Sequence, residues 1–243
     1  MRRGLLIPCM MRLFAGLVVL YIVLQGAASG LGSTRGEWGL VVALLVVSTA
    51  VLVQRLVHAE SWRELGLGAP AGRGIWTAIA LISVLVAAAA GYLGATGGVI
   101  AFESAAPWLL LGMFGQGGIA EELVFRGYLF GRLRRTRSFW PAAFIATIPF
   151  AIVHVSLFLT LPWPLALAAL VMSVALTFPF AWLFELGGRT IWPPALLHAA
   201  LQAPPKLISV DDPTLPLLWM AASTVLAWSA FLIPRRSAVA ARQ

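Results

Sequence analysis

The sequence predicts an all-α fold: a polytopic membrane helical bundle of about eight transmembrane helices. Three observations predict it. The chain is 60% hydrophobic with a mean hydropathy of +0.92. Only 11% of its residues are charged, against about 25% in an average soluble domain. Its apolar residues gather into stretches long enough to cross about 30 Å of hydrocarbon at 1.5 Å of helical rise per residue.

Eight such stretches fall near residues 13–31, 38–58, 76–96, 107–133, 140–159, 164–186, 190–204 and 214–233. The first is preceded by Arg12 and runs well past it, which reads as a retained span rather than a cleaved signal peptide. The second ends at Arg55 and His58, and His58, beside Glu60, reads as interfacial. The third contains no charged residue. The fourth carries Glu121, Glu122 and Arg126 in the run GIAEELVFRGYLFGRL. The fifth opens at Pro141, which suits a first helical turn, and holds Pro149, a source of a kink. The seventh is short, and Pro193 with Pro194 fits a helix start better than a helix interior. No polar stretch is long enough for a separate soluble domain, so residues 1–243 read as one integral membrane domain. No tandem repeat or low-complexity tract is evident.

The sequence pI of about 11.2 could point to nucleic acid, but charge placement points elsewhere. With the amino terminus inside, every Lys and Arg except Arg35, Lys206 and Arg126 falls in an inner loop or at an inner terminus. That is the positive-inside bias. It puts both termini in the cytoplasm, gives the basic excess anionic lipid as its partner, and implies no nucleic-acid partner. The single cysteine, Cys9, allows no internal disulfide and reads as a small interfacial residue, with acylation as the minor alternative.

An ionisable residue at bilayer depth is costly and marks a functional site by default. Glu122 and Arg126 are four apart and share a helix face. Glu121, about 100° away on an α-helix, is then left to face a cavity. Desolvation disfavours the charged form of a carboxylate without a cation, which makes it the better base. The competing reading is a structural ion-pair cluster. His154 and His198 lie on later spans, and each alone would be read as a hydrogen-bonded core histidine. Depth brings them together. Glu121 is about 16 Å from the inner boundary, His198 about 14 Å and His154 about 20 Å at helical rise, and tilts of about 20° absorb the difference. Gln202, four residues after His198, faces the same side and could orient it or donate to an oxyanion. Gly112, Gly115, Gly117 and Gly118 precede the glutamates, and close helix approach is the favoured reading.

Several membrane chemistries lack their residues here. The only aspartates, Asp211 and Asp212, and the only lysine, Lys206, fall in an outer loop, which argues against an aspartyl pair and a serine–lysine dyad. There is no H-E-x-x-H helix for zinc. Carboxylate and histidine remain. A glutamate base with a neighbouring histidine can deprotonate water, and a second histidine with an amide can hold the oxyanion.

These residues resemble the CAAX-protease and bacteriocin-processing family of glutamic intramembrane proteases. EELVFRG at 121–127 is similar to its E-E-x-x-x-R motif, FAIVH at 150–154 to its F-x-x-x-H motif, and HAALQ at 198–202 to its H-x-x-x-N motif with Gln202 in place of asparagine. The resemblance covers about residues 60–204, the expected catalytic core. It implies Glu121 as general base with His154 as partner, Glu122 and Arg126 as a supporting pair, and His198 with Gln202 as the oxyanion site. The composition looks bacterial, so a plasma-membrane location follows and a prenylated substrate is not carried over.

The leading expectation is therefore an intramembrane endopeptidase acting on a membrane-associated protein or peptide. Gln202 motivates an alternative, a non-catalytic immunity or scaffold protein of the same family. A transporter ranks last, because no inverted repeat is evident. No cofactor is expected. Glu121, His154 and His198 are nonetheless a His2Glu set, the ligand type of several catalytic zinc sites, so zinc at these three stays open.

Overall fold

The computed structural model describes residues 3–33, 35–97, 101–102, 104–209 and 214–234; of residues 3–9, 205, 208 and 209 it describes the backbone alone. Asp211, Asp212 and the side chain of Cys9 lie outside the described residues.

The described chain is a bundle of helices in the order the hydropathy predicts. Helix α1 (Arg3–Gly30) turns back through a short loop into α2 (Gly39–His58). A 3-10 turn at Trp62–Leu65, whose Arg63 amide donates to the Ser61 hydroxyl, leads to α3 (Gly72–Thr96). A central helix follows in four pieces: α4 (Ala106–Met113), two π-helical runs at Phe114–Glu121 and Leu123–Phe130, and α5 (Gly131–Leu133). Then come α6 (Phe139–His154), α7 (Trp163–Leu186), α8 (Trp192–Gln202), the single turn α9 (Pro204–Leu207) and α10 (Leu215–Trp228). One antiparallel ladder of two residues a side joins β1 (Ala101–Phe102) to β2 (Ile208–Ser209).

Six of the eight expected spans are long, uninterrupted apolar helices: Met10–Gly30, Gly39–His58, Gly72–Thr96, Phe139–Leu159, Trp163–Leu186 and Leu215–Leu232. Pro149 and Pro179 are accommodated inside α6 and α7. The two expected spans that depart from this form are the central helix, which is divided into α- and π-helical runs, and the 11-residue α8. Pro193 and Pro194 do open α8, as their missing amide hydrogens favour. Leu44, Trp76, Phe144, Val171 and Val225 on the long helices are exposed, which fits a lipid-facing surface. The chain is an integral membrane protein.

The central helix is the axis of the bundle. One apolar core runs along it from α1 and α2 through Leu123, Val124, Tyr128 and Leu129 to Phe139 of α6 and Phe184 of α7. A second core joins α3, α7, α8 and α10 through Leu81, Phe180, Leu183, Leu197 and Trp219. Glycine allows the close approach of α2. A Cβ on Gly39 would lie 1.8 Å from the Gly112 carbonyl oxygen, and one on Gly112 would lie 1.7 Å from that of Gly36. Small residues let membrane helices meet backbone to backbone.

Charged loops tie one end of the bundle. Arg132 and Arg135 reach Glu60 at 2.9 and 2.7 Å, Arg134 pairs with Glu185, and Arg189 donates to the Gly131 carbonyl at 2.8 Å. The sequence placed all of these loops on the inner side. His58 lies at this end, 2.8 Å from the Tyr128 hydroxyl. At the other end Ser33 donates to Gln116 at 2.7 Å, and Arg35 donates to the Lys206 carbonyl at 2.7 Å.

Candidate active site

The two cores meet at the expected site. Glu122 lies between the π-helical runs, and the Gly131 amide bonds the Arg126 carbonyl five residues back. Hydrogen bonds from i to i+5 widen the turn, so successive side chains diverge by less than the α-helical value of about 100°. The α-helical reading, in which Glu121 points about 100° away from Glu122, therefore changes. Both carboxylates turn toward α8 and meet the same histidine. Glu122 Oε1 is 2.7 Å from His198 Nδ1, and Glu121 Oε2 is 3.9 Å from His198 Nε2.

Glu122 also makes the expected pair with Arg126, at 2.9 Å through the same Oε1. Both side chains are removed from the surface, Glu122 at 0% and Arg126 at 1% exposure. The guanidinium is held between two rings, 4.5 Å from the Phe150 centroid and 5.1 Å from that of Phe180. A desolvated cation over an aromatic face gains about 2 kcal/mol or more, which offsets part of the cost of burial. Phe150 is the first residue of the second motif, and its ring also packs 4.4 Å from His154. Phe180 touches His198 as well, at 5.3 Å. Nothing in the apolar pattern of α7 singles out Phe180.

Gln202 completes the line. Its Nε2 lies 2.6 Å from His198 Nε2. An amide NH2 only donates, so His198 Nε2 accepts, and the ring hydrogen sits on Nδ1, where it donates to Glu122. Arg126, Glu122, His198 and Gln202 thus form one continuous hydrogen-bonded chain. Glu121 is not part of it. Its side chain keeps 21% exposure.

His154 stands slightly apart, at the carboxy-terminal end of α6. Its Nδ1 donates to the Phe150 carbonyl at 2.8 Å, leaving Nε2 as the ring's free acceptor. Glu121, His198 and Arg126 are the ionisable groups that act on it electrostatically. The six expected residues are therefore gathered in one neighbourhood, with His154 joined to the others by field rather than by a hydrogen bond.

Two neighbours were not singled out for the site. Gly117 underlies the Gln202 amide. Lys206, assigned from sequence to an outer loop, is half-buried, and its ammonium lies in the field of Glu121 and Glu37. Burial pushes its pKa down, and the two carboxylates oppose that shift. It follows Gln202 by four residues, as Gln202 follows His198, which is the signal that could have found it.

Among the described residues no three His, Cys, Asp or Glu side chains are grouped so as to hold a metal ion. The donor chemistry agrees: both ring nitrogens of His198 are engaged by Glu122 and Gln202. As placed, Glu121, His154 and His198 do not fit a zinc site.

Residues 103–203 match the family model described as type II CAAX prenyl endopeptidase, Rce1-like. This stretch is similar to that family. It holds all three motifs and every residue of the polar chain, and lies inside the core expected from the resemblance. No curated protein and no solved structure matches the chain. The Rce1-like family is a family of proteases, and residues 103–203 are similar to it.

Proposed function

We propose that the protein hydrolyses a peptide bond in a membrane-associated protein or peptide, using water activated by Glu121 and His154. The observation that carries this reading is the unequal treatment of the two glutamates. Glu122 is buried and committed to Arg126 and His198. Glu121 is partly exposed and belongs to no direct ion pair with Arg or Lys among the described residues. A carboxylate so placed can accept a proton from water, and the Nε2 acceptor of His154 can hold or relay that proton.

His198 has a role the resemblance alone does not supply. Glu122 fixes its tautomer and orientation, as a buried carboxylate does for the histidine of a hydrolytic triad. The second N–H of the Gln202 amide remains available to a developing oxyanion. In this reading the oxyanion donor is Gln202, and His198 orients it. In this reading the six residues act without a metal, since both ring nitrogens of His198 are spent on hydrogen bonds.

Purified protein in proteoliposomes should cleave one or more of a panel of membrane-tethered peptides. Glu121→Ala and His154→Ala should abolish that cleavage, and unchanged cleavage in both would sink the assignment. A strong chelator should leave the rate unaltered; loss of activity restored by zinc would overturn the metal-free reading. If Gln202 marks a non-catalytic immunity or scaffold protein instead, biological function should survive Glu121→Gln.

A further inference from the structure

The third motif departs from its usual form at Gln202, whose side chain is one methylene longer than asparagine. The extra length is received by Gly117. A Cβ built on Gly117 would lie 2.7 Å from Gln202 Nε2, 2.7 Å from its Oε1 and 2.9 Å from its Cδ. The end of the Gln202 amide therefore occupies the place that a Cβ at position 117 would take. All three are shorter than real Cβ atoms tolerate. The amide is also not a free end that can swing aside, because its Nε2 is bonded to His198 at 2.6 Å.

The other glycines of this run meet something different. Cβ atoms on Gly112, Gly115 and Gly118 would have as their nearest neighbours the carbonyl oxygens of Gly36, Gly39 and Ala195. Those positions set how closely helices pack. Gly117 meets a side chain of the polar chain itself.

We propose that Gly117 is a positioning residue. By lacking a side chain it seats the Gln202 amide against His198, and positions 117 and 202 form a matched pair. Volume absent from the central helix is taken up by the longer amide on α8. The consequence for rate rests on the peptidase reading above; the pairing itself does not.

The test uses full-length protein labelled with 15N-histidine, which reports only three imidazoles, those of His58, His154 and His198. The variants are Gly117→Ala, Gln202→Asn and the double variant. Gly117→Ala should shift the His198 Nε2 resonance and leave His58 in place. It should also lower kcat on a cleaved membrane-tethered peptide by about 10²-fold, the scale of a misplacement near 1 Å. The double variant moves the methylene from one partner to the other. It should return the resonance toward wild type and recover at least about tenfold of the lost rate. If Gly117→Ala does not fold, the double variant should fold. An unshifted His198 in Gly117→Ala, or a double variant no better than the product of the single ones, would overturn the pairing. Should wild-type protein cleave no peptide, the peptidase reading fails alone and the resonances still decide the pair.

Discussion

Removing the Arg126 guanidinium would strand Glu122, a carboxylate with no exposure, with only His198 as its partner. Truncating one member of a buried ion pair costs about 3–5 kcal/mol. Arg126→Ala also empties the space between Phe150 and Phe180. It should therefore lower the thermal midpoint in detergent well below that of Glu121→Ala, which removes a partly exposed group outside the hydrogen-bonded chain. Replacing Glu122 and Arg126 together with leucine should recover stability relative to Arg126→Ala but not activity, because His198 Nδ1 then loses its acceptor. If Arg126→Ala is as stable as wild type, the division into a structural pair and a free base is wrong. The sequence showed this division through i,i+4 spacing. It did not show that His198 joins the pair, because helix spacing is silent about contacts between different helices.

At the scale of elements, the approach of α2 to the central helix depends on backbone contact at Gly36, Gly39 and Gly112. A methyl group at Gly39 meets the Gly112 carbonyl with nothing flexible to yield. Gly39→Ala should force the helices apart and destabilise the protein by at least about 1–3 kcal/mol, the usual cost of overpacking. Gly91→Ala is the control, since a Cβ there meets nothing within 4 Å. Equal thermal midpoints for the two variants would show that this approach is not tight in the membrane. The glycine run was legible as a packing surface. Its division among α2, α8 and the Gln202 amide was not, and neither was the π-helical form that turns Glu121 and Glu122 toward one histidine. A change of helical pitch leaves the residues the same and changes only which of them face each other.

For the whole molecule, the charged end joins loops far apart in sequence, and Glu60 is its hub. Burial works against ionisation of this carboxylate, but hydrogen bonding to Arg135 and the charges of Arg132 and Arg135 outweigh it and hold its pKa below the ordinary 4.5. A carboxylate with a depressed folded pKa contributes stability that is fully present above its unfolded value. That contribution is lost as pH falls through the folded value. Thermal midpoints measured from pH 7 downward should hold until about pH 4.5 and then decline. Glu60→Gln should be less stable at neutral pH and show a shallower decline. The effect should be small, since the group is partly solvated and screened. A decline of wild-type slope in Glu60→Gln would assign the acid sensitivity to other carboxylates.

Sequence alone determined that this protein lives in a bilayer, where its long apolar spans lie, and which charged and imidazole side chains interrupt the apolar runs. Those properties follow from local hydrophobicity and from the cost of placing charge in hydrocarbon, and both are written residue by residue. It also showed the three motifs of the family. Tertiary structure alone decided that both glutamates face His198, that Phe150 and Phe180 enclose Arg126, and that Gly117 seats Gln202. Each of these depends on distances between helices that share no local sequence. Such distances are set by how side chains fill space between backbones, and no linear pattern records that.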